Sequence, residues 1–315
     1  MKNTLVDLNV YLAKKQQGLI NSLVEENPIL ASVPVRESSH GLYNVYSKAT
    51  EITGMQEVRF DEELPVVNIS FELGRTALGK IGGRLPMPQD AAEQMGGYSA
   101  YAEARIPSII SEAGNKQETR MYYKGMLAAA IKNGKAISAG GSTANKQYSL
   151  VAITWNMDST VGLYDRNAVQ RGKVFEQQIL NGGNLANIEI DGMKCLGKEI
   201  ATYMKFGLQL ADPRLVGAIV NIEPHANVSN PDKVDGLPTP DMMDELLGNV
   251  RAGATTVIYC HPALQKKLAT KFQMQQRVIS NGTNSVRYNL YDYQGIPVIS
   301  SYNIAWGNEA VIALS

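Results

Sequence analysis

Apolar positions Leu5, Leu8, Leu12, Leu19, Leu23 and Val24 recur at roughly helical spacing, which predicts a helix over residues 4–26 with one apolar stripe, ended by Asn27-Pro28. The apolar segment from Ile29 to Val35 is bounded by Pro28 and broken by Pro34, and proline removes a ladder donor. An extended strap is expected there, so residues 1–40 read as an arm.

From Leu42 to Lys48 and again from Val66 to Phe71 the pattern changes to near-alternation of apolar and polar side chains, rich in Tyr, Val and Ile. Between the two runs lie Gly54 and the charged stretch Arg59-Phe60-Asp61-Glu62-Glu63, closed by Leu64-Pro65. A long hairpin is predicted over 41–86. A two-stranded ribbon is marginal in water unless it lies on another surface, its own chain's or a neighbour's. Gly74, Gly79, Gly82 and Gly83 with Pro86 and Pro88 predict a flexible return rather than another packed layer.

A helical pattern resumes from Pro107 to Lys132, with Asn133-Gly134 as its stop and Gly114 as a possible bend. Polar residues from Ser138 to Gln147 predict a loop. Leu150–Trp155, Val161–Tyr164 and Tyr203–Leu210 read as strands, and Asp212-Pro213 as a turn. After a loop over 223–240, helices are expected at 240–251 and 262–272, with strands at 255–259, 296–299 and 310–314.

Composition narrows what such a chain can be. At 315 residues it has room for two compact units or one body with appendages, and 44% hydrophobic with 19% charged residues is ordinary for a globular protein. The formal net charge of +0 argues against a generic nucleic-acid binder, although a container for DNA should not grip phosphates strongly. No apolar run reaches the ~18 residues needed to span a bilayer, and no signal-peptide pattern opens the chain, so a soluble protein made in a cytoplasm is expected.

Candidate chemistry is sparse. Cys195 and Cys260 carry no metal-ligand spacing. Of three histidines, His40 lies beside Gly41, His225 in a Pro- and Asn-rich loop, and His261 after Cys260. Cys260-His261 suggests a nucleophile and base, but neighbours along a strand face opposite ways. Gly140 to Lys146 has phosphate-loop residue types without the terminal Gly-Lys-Ser/Thr order, and Gly79–Gly83 lacks dinucleotide spacing. Asn281-Gly282-Thr283 reads as a turn. The acids Asp61, Glu62 and Glu63 at a hairpin tip suit a solvated charge run or an intersubunit register device. Arg59, Arg75 and Arg84 are the accompanying candidates for intersubunit contact, and Gly54, Gly74, Gly79, Gly82 and Gly83 for hinges. No catalytic, cofactor or metal site is expected.

The order of arm, hairpin, glycine-rich return, long helix and mixed α/β segments resembles the Hong Kong 97-like capsid fold of tailed phages. Three blocks are similar to the short-tailed branch typified by epsilon-fifteen: Glu25-Glu26-Asn27-Pro28-Ile29-Leu30; Val151-Ala152-Ile153-Thr154-Trp155 with Thr160-Val161-Gly162-Leu163-Tyr164; and Gly207-Leu208-Gln209-Leu210-Ala211-Asp212-Pro213-Arg214. Pro213 stands where that group carries an aromatic residue. The resemblance implies an α+β fold divided into an N-terminal arm (1–40), an E-loop hairpin (41–88), a peripheral domain with a spine helix (89–222), an axial domain (223–309) and a C-terminal strand (310–315). It implies a major capsid protein that assembles with copies of itself as hexamers and pentamers into an icosahedral shell. Portal and scaffolding or decoration proteins are the implied partners, with weak contact to packaged double-stranded DNA and none to membrane. Nothing identifies a partner for Lys80, so no covalent cross-link is expected. The rival readings are an encapsulin-like compartment shell and a soluble α/β enzyme with an unrecognised site.

Overall fold

The computed structural model describes residues 27–60, 62–167, 175–190, 192–224, 236–279 and 288–314; the helix expected at 4–26, Asp61, His225 and the turn at Asn281 lie outside them. The described chain begins with a short helix, α1 (Pro28–Ser32), not the extended strap expected there. Pro28 is pre-set for the first helical turn, and the orphan Ile29 N–H is taken by the buried Glu118 carboxylate at 2.8 Å. Extended backbone resumes at Val33, ahead of Pro34, and leads into β1 (Val35–Glu37).

Next come β2 (Tyr43–Thr53) and β3 (Asn68–Ala77), which among the described residues pair only with each other as an antiparallel ribbon. The expected flexible return is instead a strand, β4 (Gly79–Pro88), paired residue for residue with Gly197–Phe206 and burying Leu85 and Met87. Its partner lies more than a hundred residues away in sequence, and close packing favours glycine at two of its positions. A Cβ on Gly82 would sit 2.4 Å from the Thr202 carbonyl oxygen, and one on Gly79 would collide with the Arg120 guanidinium.

After α2 (Gln89–Gln94), the long helix starts at Tyr98, earlier than expected, because Pro107 lies inside it rather than at its first turn. Pro107 sits on the exposed side, where a helix tolerates the lost N–H. Helix α3 (Tyr98–Arg120) runs through a π-helical segment (Met121–Leu127) into α4 (Ala128–Lys132), about 50 Å of unbroken helix. The stop at Asn133-Gly134 is as expected. Gly134 takes φ +63°, its N–H bonds the Ile131 carbonyl, and Lys135 N–H bonds the Ala130 carbonyl, the paired closure that satisfies helix-end carbonyls.

Two sheets flank this spine. In the first, β10 (Met193–Leu210) is the axis: β4 lines one edge, while β7 (Thr160–Tyr164), β8 (Phe175–Ile179) and β9 (Ala186–Ile190) pair with successive lengths of it, and β1 adds parallel to β7. The second has the order β13-β14-β15-β12-β6-β11-β5, from β5 (Ala136–Ser138), β6 (Tyr148–Thr154), β11 (Val216–Ile222), β12 (Thr256–Cys260), β13 (Gln275–Ile279), β14 (Tyr288–Tyr293) and β15 (Ile296–Ser300). The line expected at residue 222 therefore passes between strands of one sheet, since β11 and β12 both bond to β6.

That sheet is covered on both faces, which is why β6 reads as an unbroken apolar run. Val151, Ile153, Val216, Ala218, Val220 and Tyr259 pack toward the spine. Leu150, Ala152, Ile219, Ile258 and Cys260 pack toward α5 (Pro240–Asn249) and α6 (Pro262–Phe272). The expected strand at 310–314 is not formed. The C-terminal segment crosses the body as a strap with one backbone bridge, Gln147 to Glu309, and the Asn221 amide bonds both the N–H and the carbonyl of Ile312 at 2.8 Å.

Candidate assembly surface

The feature that stands out chemically is a surface rather than a cleft. Along the ribbon, directly opposed residues share a face, so Tyr43, Val45 and Ala49 stand with Ala77, Arg75 and Phe71, while Lys48 and Glu72 oppose one another on the other side. A bulge at Thr50 shifts the register by one residue. Because side chains alternate with a period of two, that shift pairs Ile52 with Ile69 on the apolar face and moves Glu51 to the polar one. The result is a continuous apolar face carrying Ile52, Ile69, Phe71 and Leu73, exposed by 60%, 48%, 66% and 77%. Met55, Phe60, Leu64 and Val66 extend it over the tip, also largely exposed. Together these side chains present on the order of 1,000 Å² of apolar surface, well beyond the few hundred Å² typical of a monomer's patches.

The other contact candidates separate in space. Arg59, Glu62 and Glu63 lie in the tip loop, where Arg59 N–H donates to the Glu62 carboxylate at 3.2 Å. Arg75 stacks over the Tyr43 ring at 3.9 Å, at the ribbon base. Arg84 belongs to β4 in the body and faces Glu199 at 3.8 Å. Of the hinge candidates, Gly54 has φ +96° and its missing side chain makes room for the Val66 carbonyl, as the chain enters the tip. Gly74 is covered by the opposed Tyr46 ring, 2.3 Å from where a Cβ would stand. Gly79 and Gly82 are close-approach sites, and Gly83 alone of the five meets no neighbouring atom.

Where the ribbon joins the body, Ala77, Phe206, Gly207 and Leu208 with Gln117, Arg120, Met121, Lys124 and Gly125 line a cleft of about 210 Å³ against the π-helical segment. No local sequence signal marks it, since its walls come from three distant segments.

The groups that suggested catalysis are accounted for structurally. The Cys260 thiol is buried and its pKa is pushed up to about 12 by desolvation, far from a thiolate nucleophile. His261 caps α6, its Nδ1 accepting from Ala263 N–H at 3.1 Å, and its ring stacks on Trp306. Burial holds its pKa below the usual histidine value. In the loop with phosphate-loop residue types, Ser142 and Thr143 N–H groups donate to the Glu223 carboxylate at 3.1 Å each. The chain fills its own anion nest, and the Thr143 hydroxyl first, then these N–H groups and the Gln147 amide, hold the Glu223 pKa down at about 2.

Two carboxylates, Glu118 buried and Glu309 half-buried, bind the C-terminal strap to the spine. Glu118 accepts from Ile29 N–H and from Asn303 Nδ2, and Glu309 accepts from the Tyr123 hydroxyl at 2.7 Å and Ser149 Oγ at 2.9 Å. Burial raises both pKa values, with the hydrogen bonds opposing it. Among the described residues no group of three or more His, Cys, Asp or Glu could hold a metal ion, and no helix is long and apolar enough to cross a membrane.

A family model described as major capsid protein GP7 matches residues 118–312, more than half of the chain. The chain belongs to this family. It is a phage major capsid protein, a component of the virion whose partners are copies of itself. No curated protein sequence matches this capsid protein significantly. Among solved structures, a chain of bacteriophage Epsilon15 aligns with TM-score 0.56 at 12% identity over 90% of this chain and 88% of that one. A chain of the bacteriophage JBD30 capsid gives 0.52 at 9% over 87% and 89%. At such identities the likeness is one of fold, and it matches the Hong Kong 97-like architecture expected from the order of segments.

Proposed function

We propose that copies of this capsid protein form hexamers and pentamers of an icosahedral shell around double-stranded DNA, each ribbon lying with its apolar face on a neighbouring subunit. The observation that carries this is the exposed apolar face of Ile52, Ile69, Phe71 and Leu73, on a ribbon whose strands pair with no other described strand. At ~25 cal/mol per Å², sharing even half of the ~1,000 Å² apolar surface supplies a gross drive of about 10 kcal/mol. Ordering and lost rigid-body freedom offset much of it, which leaves each contact reversible enough for misplaced subunits to leave.

In this reading residues 1–40 are the N-terminal arm and the β2–β3 ribbon is the E-loop. The peripheral domain is the spine with the β10-centred sheet, and the axial domain is the seven-stranded sheet with α5 and α6. The axial unit thus takes β5, β6 and β11 from before residue 223 as well as the strands after it. Gly54, at the entry to the tip, and Gly83, open to solvent, are the hinge positions best suited to fitting one chain into both five- and six-fold environments. The protein acts through surfaces and not by catalysis. Assembly takes place in the host cytoplasm, with portal and scaffolding or decoration proteins as further partners, and the neutral chain touches DNA weakly.

Deleting residues 52–64 tests the reading. A body that stays folded by circular dichroism but no longer forms closed shells in electron micrographs supports it, and normal shells from the deletion overturn it. Particles that enclose a protein cargo in place of DNA would favour a compartment shell.

A further inference from the structure

An exposed aromatic patch lies beside the point where the described chain begins. Tyr302 and Trp306, in the segment after β15, are 83% and 73% exposed, and both pack on the buried ring of His261. Trp306 stacks on it with centroids 5.9 Å apart and Tyr302 meets it edge-on at 5.8 Å, so the two exposed rings stand nearly at right angles around one corner. Exposure has not left Trp306 loose. Its indole is hydrogen-bonded to the Tyr148 hydroxyl, and Gly307, at φ +59°, leaves room for the Tyr148 ring 2.7 Å from where a Cβ would stand. An aromatic side chain already held in one pose loses little freedom when a partner covers it, which makes it a strong anchor for an apolar surface. The two rings together present roughly 300 Å² of such surface, a size that often marks a contact.

The path of the chain indicates the occupant. Asn303, between the two aromatic residues in sequence, donates from Nδ2 to the side-chain oxygen of Asn27 at 2.8 Å, and the same amide bonds the buried Glu118 carboxylate. Asn27 is itself buried, so the start of the described chain is pinned at the patch. The 26 residues before it lie outside the described residues, and the last apolar positions of their predicted stripe are Leu19, Leu23 and Val24. Leu23 is four residues from Asn27, at most about 14 Å even with the chain fully extended. A tether that short holds the stripe near the rings at an effective concentration of about millimolar or more, against which any separate molecule must compete. We propose that residues 4–26 dock their apolar stripe on the Tyr302–Trp306 corner of the same copy, with Leu23 and Val24 nearest the rings. Two apolar surfaces of the free subunit then cover one another. The contact lies within one copy, so it goes beyond the assembly reading and does not presume a shell.

The test uses the full-length chain, kept dilute, below the onset of particle formation. The protein has two tryptophans and Trp155 is 5% exposed, so quenching by iodide, an ion kept out of the apolar interior, reads Trp306. With the stripe docked, the parent chain is expected to resist quenching. Leu19→Ser with Leu23→Ser is expected to raise the quenching constant severalfold while circular dichroism shows the body still folded, and Trp306→Phe should abolish that difference. Leu23→Cys with Tyr302→Cys, mildly oxidised, is expected to give a faster-migrating monomer on a non-reducing gel that neither single cysteine variant gives. Trp306 freely quenched in the parent chain, or quenched equally in parent and serine variant, overturns the docking. So does protection that appears only as concentration rises, or a cross-linked dimer in place of the looped monomer, since either puts a second copy on the patch. Shells lost in the 52–64 deletion, with none of these signatures, would leave the assembly reading standing and sink this contact alone.

Discussion

Replacing Phe71 and Leu73 by alanine separates adhesion from folding more cleanly than a deletion does. Both side chains stand on the apolar ribbon face, 66% and 77% exposed, so little of either is buried within its own subunit. Truncating exposed side chains should shift the stability of the unassembled protein by about 0.5 kcal/mol, and the lower strand propensity of alanine adds at most ~1 kcal/mol in the ribbon alone. Against a neighbour the loss is larger. The pair offers roughly 200 Å² of apolar surface, worth about 5 kcal/mol per contact if fully covered and about 2–3 kcal/mol if half covered. At ~1.4 kcal/mol per factor of ten, the half-covered case is a roughly hundredfold weaker contact. The expected result is an unchanged urea midpoint for the unassembled subunit and a critical concentration for particle formation raised by about two orders of magnitude, read by light scattering. A critical concentration equal to that of the parent chain would refute the reasoning. So would a loss of several kcal/mol in the subunit's own stability, which would mean that the face is already covered within one copy.

Two further outcomes test how ribbon and strap are held. Gly74→Val would drive a side chain into the Tyr46 ring, so hydrogen exchange across β2 and β3 should rise while the spine keeps its protection, with a local cost of about 1–2 kcal/mol. Glu118 and Glu309 have folded pKa values raised above the ordinary carboxylate value, so across that window the folded state binds more protons than the unfolded chain. Stability should therefore fall as pH rises from about 4.5 through the raised values, and Glu118→Gln should flatten that slope in denaturation midpoints taken across pH. A slope equal to that of the parent chain would show that Glu118 does not contribute to it.

What the sequence settled by itself was local. The hairpin, the stop at Asn133-Gly134, the strand at Leu150 and the helix at Pro262–Phe272 follow from alternation, positive-φ glycine and proline at a first turn, all governed by residues within a few positions. What it could not settle depends on partners far along the chain. Gly79–Pro88 looks like a flexible linker until β10, more than a hundred residues later, supplies ladder bonds along it and, at Gly82, close packing that only glycine admits. The sheet that crosses residue 222, the carboxylate of Glu223 in the Ser142–Thr143 nest, and the alignment of Gln117, Arg120 and Lys124 over the ribbon base are likewise meetings of distant segments. Sequence pattern reports which face a side chain prefers, because that preference is local. Which surface it then meets is fixed only by the tertiary fold, because burial is shared between elements that no local pattern brings together.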